Sequence, residues 1–358
     1  MVAVVAGSVY LWPAYVVGLA GTGAYASLLV ATAVAAGITA LQTGWMRRMA
    51  YRPYPAAMKA TWSPWLGPVL TWITMLLMLA LDAIILYLYG ELLQTFFYPG
   101  TPSWVTEVTI AGLAVWIAIR SLAVVARSVQ FWFPLLLASF VLILALSAGD
   151  MRFPVAAAPH LSAPVSSLAQ ASLVTWFLYA NPCATAALLP HVRRTGHVKP
   201  EMLAVAAIAL QGLILIVILF SALATLGPAV LPDMTWPIIY IFSVVQIPAF
   251  FVQDVGMLIL ITWTVAIILH LAVHSYVVAW NVGRPVGGYD PRRQYLVAGL
   301  GLAIVAGALS VGSVAEAKIW LFRILTPLDL AWTVVLVPAT ALVAWWRTRR
   351  AAAPDRAG

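Results

Sequence analysis

The sequence predicts an all-α polytopic membrane protein of ten transmembrane helices, divided five plus five as an inverted repeat with interrupted helices one and six. Three observations carry that prediction. Hydrophobic residues make up 64% and charged residues 8% of the 358-residue chain, and the mean hydropathy is +1.00, too apolar for a soluble domain around one core. The apolar residues fall into runs of roughly 20, the length that crosses a bilayer. Finally, the first helix of each half carries a local irregularity: Ala6-Gly7-Ser8 with Pro13 in helix one, and Ala180-Asn181-Pro182 in helix six. Interrupted segments at corresponding positions of two halves point to an inverted-repeat transporter and to its binding site. The halves share no obvious residue-by-residue identity, and Gly-Ser also reads as a close helix-packing contact.

In chain order, helix one covers Val2 to Leu19, and its start carries neither a basic stretch nor a small-residue cleavage site, so the span is expected to be retained. Helix two runs from Ala26 to Met49, followed by a basic loop, and helix three from Leu66 to Phe97, closed by the turn Tyr98-Pro99-Gly100-Thr101-Pro102. Ser103 to Leu122 and Val124 to Ser147 form helices four and five, separated by a polar corner around Arg120 and Arg127. A Pro-containing polar segment leads to helix six, Ser172 to Pro190. Helices seven to ten span Met202 to Leu226, Phe250 to Trp280, Tyr295 to Val311 and Lys318 to Trp346, with a short surface helix expected within Trp236 to Gln246. The whole reads as one transmembrane domain, residues 1–350, with repeats at 2–147 and 167–346 and a short cytoplasmic tail at 351–358.

Charge distribution orients the bundle. With both termini cytoplasmic, only Arg152, Lys318 and Arg323 of the 19 Lys and Arg fall outside, as the positive-inside rule requires. The formal charge of +8 therefore reflects topology rather than nucleic-acid binding. A single cysteine, Cys183, rules out an internal disulfide framework and a cysteine-based metal site.

Helix six holds the most informative stretch. Tyr179-Ala180-Asn181-Pro182-Cys183 places an amide and a helix breaker at mid-depth. Proline removes one backbone hydrogen bond, and a buried amide needs partners that lipid cannot supply. Two readings stand: a Pro-kinked helix, or a discontinuous helix whose freed backbone groups line a cavity. Tyr10, Trp176 and Tyr179 fall inside helices one and six, where an aromatic ring could cover a ligand, whereas Trp62, Trp65, Trp104, Trp236, Trp345 and Trp346 read as interfacial anchors.

Ionisable groups inside spans are costly and therefore candidates. Asp82 lies within helix three and Asp329 within helix ten, each either part of a polar path or a structural hydrogen-bonding group; Glu91 and Asp254 lie nearer the outer ends. His270 and His274, four apart, share one face of helix eight, a spacing able to ligate a metal. No Cys, Asp or Glu close in sequence completes a set, so a packed or pathway pair is expected and neither metal nor cofactor is assigned. There is no phosphate loop, no nucleophile with a base and no metal-hydrolase motif, so the chain is not read as an enzyme.

Taken together, several short motifs resemble the spore germination permeases, the B subunits of germinant receptors within the amino acid-polyamine-organocation superfamily. The motifs are Glu91-Leu92-Leu93-Gln94-Thr95-Phe96 followed by Tyr98-Pro99-Gly100-Thr101-Pro102-Ser103-Trp104; Arg127 with Phe133-Pro134; Pro190 with the basic pair after it; Trp263 and Tyr276; and Tyr289-Asp290-Pro291-Arg292. Their order and spacing cover nearly the whole chain. Departures occur where the family often has a glycine and a glutamate in helix six, here Ala180 and Asn181, and where an Arg-Glu pair is expected in helix three, here Tyr87-Leu88.

The resemblance implies a leucine-transporter-like bundle in the spore inner membrane that binds a small germinant, an amino acid, between helices one, three, six and eight. Partners would be a membrane A subunit and a lipoprotein C subunit. Half-helix N-termini would bind the germinant's carboxylate. The implied ligand-binding residues are Gly7, Ser8, Val9, Tyr10, Asp82, Tyr179, Ala180, Asn181, Cys183 and Thr262. A self-sufficient secondary transporter of amino acids or amines, and a germinant-gated ion or water conduit, are the alternatives.

Overall fold

The computed structural model describes residues 11–179, 182–192, 199–244, 255–282 and 291–351, and every regular element among them is helical. Helix α1 (Trp12–Ala20) stops at Gly21, whose φ of 54° is open to glycine and strained for other residues. A 3-10 turn, Gly21–Gly23, feeds α2 (Ala24–Arg48). Ala50 then takes a φ of 51°, and the Tyr51 amide reaches back to the Met46 carbonyl at 2.9 Å. That is a Schellman closure with alanine where glycine is usual.

The expected basic loop that follows is instead a two-turn helix, α3 (Tyr54–Thr61), opened by Pro55 in its first turn. Helix α4 (Leu66–Phe96) starts with the Ser63 hydroxyl accepting the Leu66 amide at 2.9 Å. Its 31 residues make roughly 46 Å of helix against a hydrocarbon core of about 30 Å, so it must tilt or project. Asp82, 16 residues in, falls near its middle.

Helices α5 (Ser103–Ala118) and α6 (Leu122–Ser147, with Pro134 inside) follow. Next come α7 (Val165–Val174), α8 (Pro182–Leu188), and α9 (Pro200–Leu226), which begins on a proline and ends at Gly227 with φ 77°. The remainder is α10 (Pro237–Val244), α11 (Val255–Val282), α12 (Pro291–Leu309), α13 (Val314–Lys318), a π-helical stretch Ile319–Leu325, and α14 (Thr326–Ala351).

Among the described residues, seven stretches are long and apolar enough to cross a membrane: 12–48, 66–96, 122–142, 165–191, 200–226, 261–282 and 314–349. The first takes in both α1 and α2. At 16 residues α5 is shorter, and α12 opens on Arg292 and Arg293. In packing, α2 lies against α9 and α14, while α11 lies against α4, α5 and α6. Large side chains such as Leu29, Trp72, Phe131, Leu213 and Val335 face outward, which suits lipid rather than water.

Helix packing is closest where one side lacks a side chain. A Cβ on Gly212 of α9 would sit 2.5 Å from Thr32 Cγ2 of α2, and one on Gly90 of α4 would sit 2.8 Å from Glu107 Cγ of α5. Small residues let membrane helices approach this closely.

Candidate functional site

The sixth predicted span is not one α-helix. Helix α7 ends at Val174, residues Thr175–Tyr179 tighten into a 3-10 turn, and α-helix resumes at Pro182. Proline chemistry explains part of this. Pro182 has no N–H to give to the Leu178 carbonyl four residues back, and the Gln211 amide of α9 donates to that oxygen instead. Two further helices hold the same turn. The hydroxyls of Tyr179 and Thr32 of α2 lie 2.7 Å apart, and Trp176 Nε1 donates to Asp329 Oδ2 of α14 at 2.8 Å. The Leu178 carbonyl and the Tyr179 and Trp176 side chains therefore find partners within protein, as irregular structure at membrane depth requires.

Beside the interruption lies a cavity of about 550 Å³, within the range of small-molecule sites. Helices α6, α8, α9 and α11 and the 3-10 turn wall it. Its lining is mostly apolar, including Val125, Val129, Phe133, Ala207 and Ile208, with polar groups from Gln130, Tyr179, Thr185, Gln211, His270 and His274. At one margin Tyr276 lies under the Arg293 guanidinium, 4.0 Å from the ring centre. Arg293 also bonds the Ala118 and Arg120 carbonyls at 3.4 Å each, closing the end of α5.

Behind the cavity wall, α4 presents Asp82 to the two histidines of α11. His270 Nε2 is 3.1 Å and His274 Nδ1 2.8 Å from the same oxygen, Asp82 Oδ1. All three side chains are buried. The two imidazole centres are 3.9 Å apart, as the four-residue spacing dictates.

The structure gathers some of the expected ligand-binding residues and scatters others. Tyr179 lines the cavity, and Asp82 bonds to the histidines that do. Cys183 turns elsewhere: its Sγ accepts from Gln42 Nε2 at 3.4 Å, with the Tyr54 hydroxyl at 4.0 Å. Burial, with the neighbouring thiol, raises the Tyr54 phenol well above its ordinary pKa. Thr262 is buried on α11, about 12 Å along the helix from His270. Gly7, Ser8, Val9, Tyr10, Ala180 and Asn181 lie outside the described residues. The two carboxylates take separate partners, Asp82 the histidines and Asp329 Trp176.

Beyond the cavity-lining Gln130 and Thr185, three buried polar residues were not expected from sequence. Gln42 and Gln211, lone amides inside apolar helices, carried a signal, since such groups need internal partners. Glu107 did not. Five residues beyond Pro102 it reads as interfacial, yet it is 1% exposed against Gly90, with Oε2 unpartnered.

A helical bundle with an outward apolar surface, an interrupted helix held from three sides and a cavity beside buried ionisable groups defines a class: an integral membrane protein of the permease type. The chain belongs to the spore germination permease family, whose model, described as spore germination protein, matches residues 1–286. A comparison with curated proteins finds no match. Family membership gives the chain a role in spore germination.

Proposed function

We propose that this chain is the membrane subunit of a spore germinant receptor, binding a small germinant of the amino-acid class in the cavity beside the interrupted helix. The carrying observation is that the same turn, Thr175–Tyr179, both walls the cavity and is tied to three other helices. A ligand touching Leu178 or Tyr179 therefore bears on α2, α9 and α14 together. Binding shifts the balance between two arrangements of these ties, and the A and C subunits read the change. The protein sits in the spore inner membrane with both termini cytoplasmic, in a ten-helix, five-plus-five frame.

Filling the cavity tests the proposal. Ala207→Trp, on the cavity wall, is expected to raise the half-maximal germinant concentration at least about tenfold while the protein still inserts at wild-type level. An unchanged dose response would sink the assignment. A second reading, a secondary amino acid or amine transporter or a germinant-gated ion or water conduit, draws on Asp82, an ionisable group at mid-span. Concentrative uptake by the purified subunit without partners would favour it.

A further inference from the structure

Asp82, His270 and His274 form the one group of three potential metal ligands found among the described residues, their donor atoms lying within 4.8 Å of one another. We propose that they bind a divalent first-row transition-metal ion of the zinc and cobalt class, with its remaining coordination positions open to the cavity. The site does not depend on which germinant the receptor takes.

Distances fit first. Ligands at bonds of about 2.1 Å stand roughly 3.4 Å apart in the tetrahedral geometry of zinc; the two nitrogens are 3.1 and 2.8 Å from the shared carboxylate oxygen, and all three donor atoms lie within 4.8 Å of one another. An ion could therefore be taken up through side-chain rotations. Donor chemistry fits next: two imidazoles and one carboxylate suit zinc, cobalt and iron rather than magnesium or calcium, which want oxygens alone.

Hydrogen bonding leaves the group incomplete. Both rings turn a nitrogen to the same carboxylate oxygen, Asp82 Oδ1. Asp82 Oδ2 and His270 Nδ1 are buried with no partner, and unpaired buried polar atoms are expensive. A divalent ion can take the carboxylate through both oxygens, which gives Oδ2 its partner and offsets the carboxylate charge. Access fits last, because His270 and His274 line the cavity while Asp82 closes the site from behind. Three protein ligands with open positions is the arrangement of reactive or ligand-exchanging metal sites rather than closed structural ones.

The test uses the purified full-length protein in detergent, stripped with chelator and titrated with cobalt(II). One equivalent should bind and give visible absorption bands of nitrogen and oxygen coordination. Asp82→Asn and His274→Ala should each weaken binding at least about tenfold. His274→Cys, with monodispersity and helicity checked, should add a near-ultraviolet band from thiolate to cobalt, a signature that a purely structural role would not create. Absence of saturable bands in the wild-type protein overturns the proposal, as does unchanged affinity in both weakening variants. Should either of those variants fail to fold, the wild-type titration and the cysteine band decide alone.

Discussion

Replacing Trp176 by phenylalanine isolates one bond that holds the interrupted helix in place. The indole is 1% exposed and Asp329 is 7% exposed, and phenylalanine keeps most of the apolar bulk while deleting the 2.8 Å N–H donor. A buried acceptor left without its partner costs about 1 to 3 kcal/mol, more when charged, so a destabilisation of about 2 kcal/mol is expected. Asp329→Leu strands the indole N–H instead and is expected to cost about the same. If the two residues act through their bond, the double variant loses less than the sum. Hydrogen bonds between membrane helices couple by about 0.6 kcal/mol on average and reach about 1.7 kcal/mol. A buried pair with a 2.8 Å bond belongs at the upper end, so a coupling of about 1.5 kcal/mol is expected, with the double variant at about 2.5 rather than 4 kcal/mol. Reversible unfolding of the purified protein in mixed micelles, followed by helical circular dichroism, reads all four corners of the cycle. Additivity within about 0.5 kcal/mol would refute the view that this bond anchors the turn.

The close contact at Gly212 makes a second prediction. Gly212→Ala places a methyl 2.5 Å from Thr32 Cγ2 and is expected to cost about 1 to 3 kcal/mol through overpacking; because Thr32→Ala also deletes the Tyr179 bond, the same unfolding assay should show Gly212→Ala costing less in the Thr32→Ala background than alone, and an equal cost would exclude a steric cause. A third prediction concerns the residues outside the described set: Gly7→Trp and Asn181→Leu should each abolish the germinant response of spores while immunoblots show normal insertion. A normal dose response in both would remove them from the proposed binding site.

Much of the fold was legible because membrane spans announce themselves by length and hydropathy alone. Pro200–Leu226 and Pro237–Val244 fall close to where the sequence puts them. An irregularity in helix six was legible too, since Pro182 must free a carbonyl wherever it sits in a helix, although a kink and a break read alike from sequence. Its partner was not, because nothing local to Gln211 says that it will face Leu178. Helix α3 was not legible because eight residues carry too little periodicity to separate from a loop. At the histidine pair the same limit is sharper. Their shared face follows from spacing, but the carboxylate that completes the cluster comes from 188 residues away, a distance at which only the packed bundle can speak.

Cys183 is the only cysteine in the chain, and it lies immediately after Pro182, 6% exposed. The unmodified protein thus carries its own reporter. A thiol reagent has one place to react, and it can do so only when the contacts with Gln42 and Tyr54 part. The alkylation rate of native protein, with and without germinant, therefore reads the opening of this helix directly, with no engineered label in the molecule.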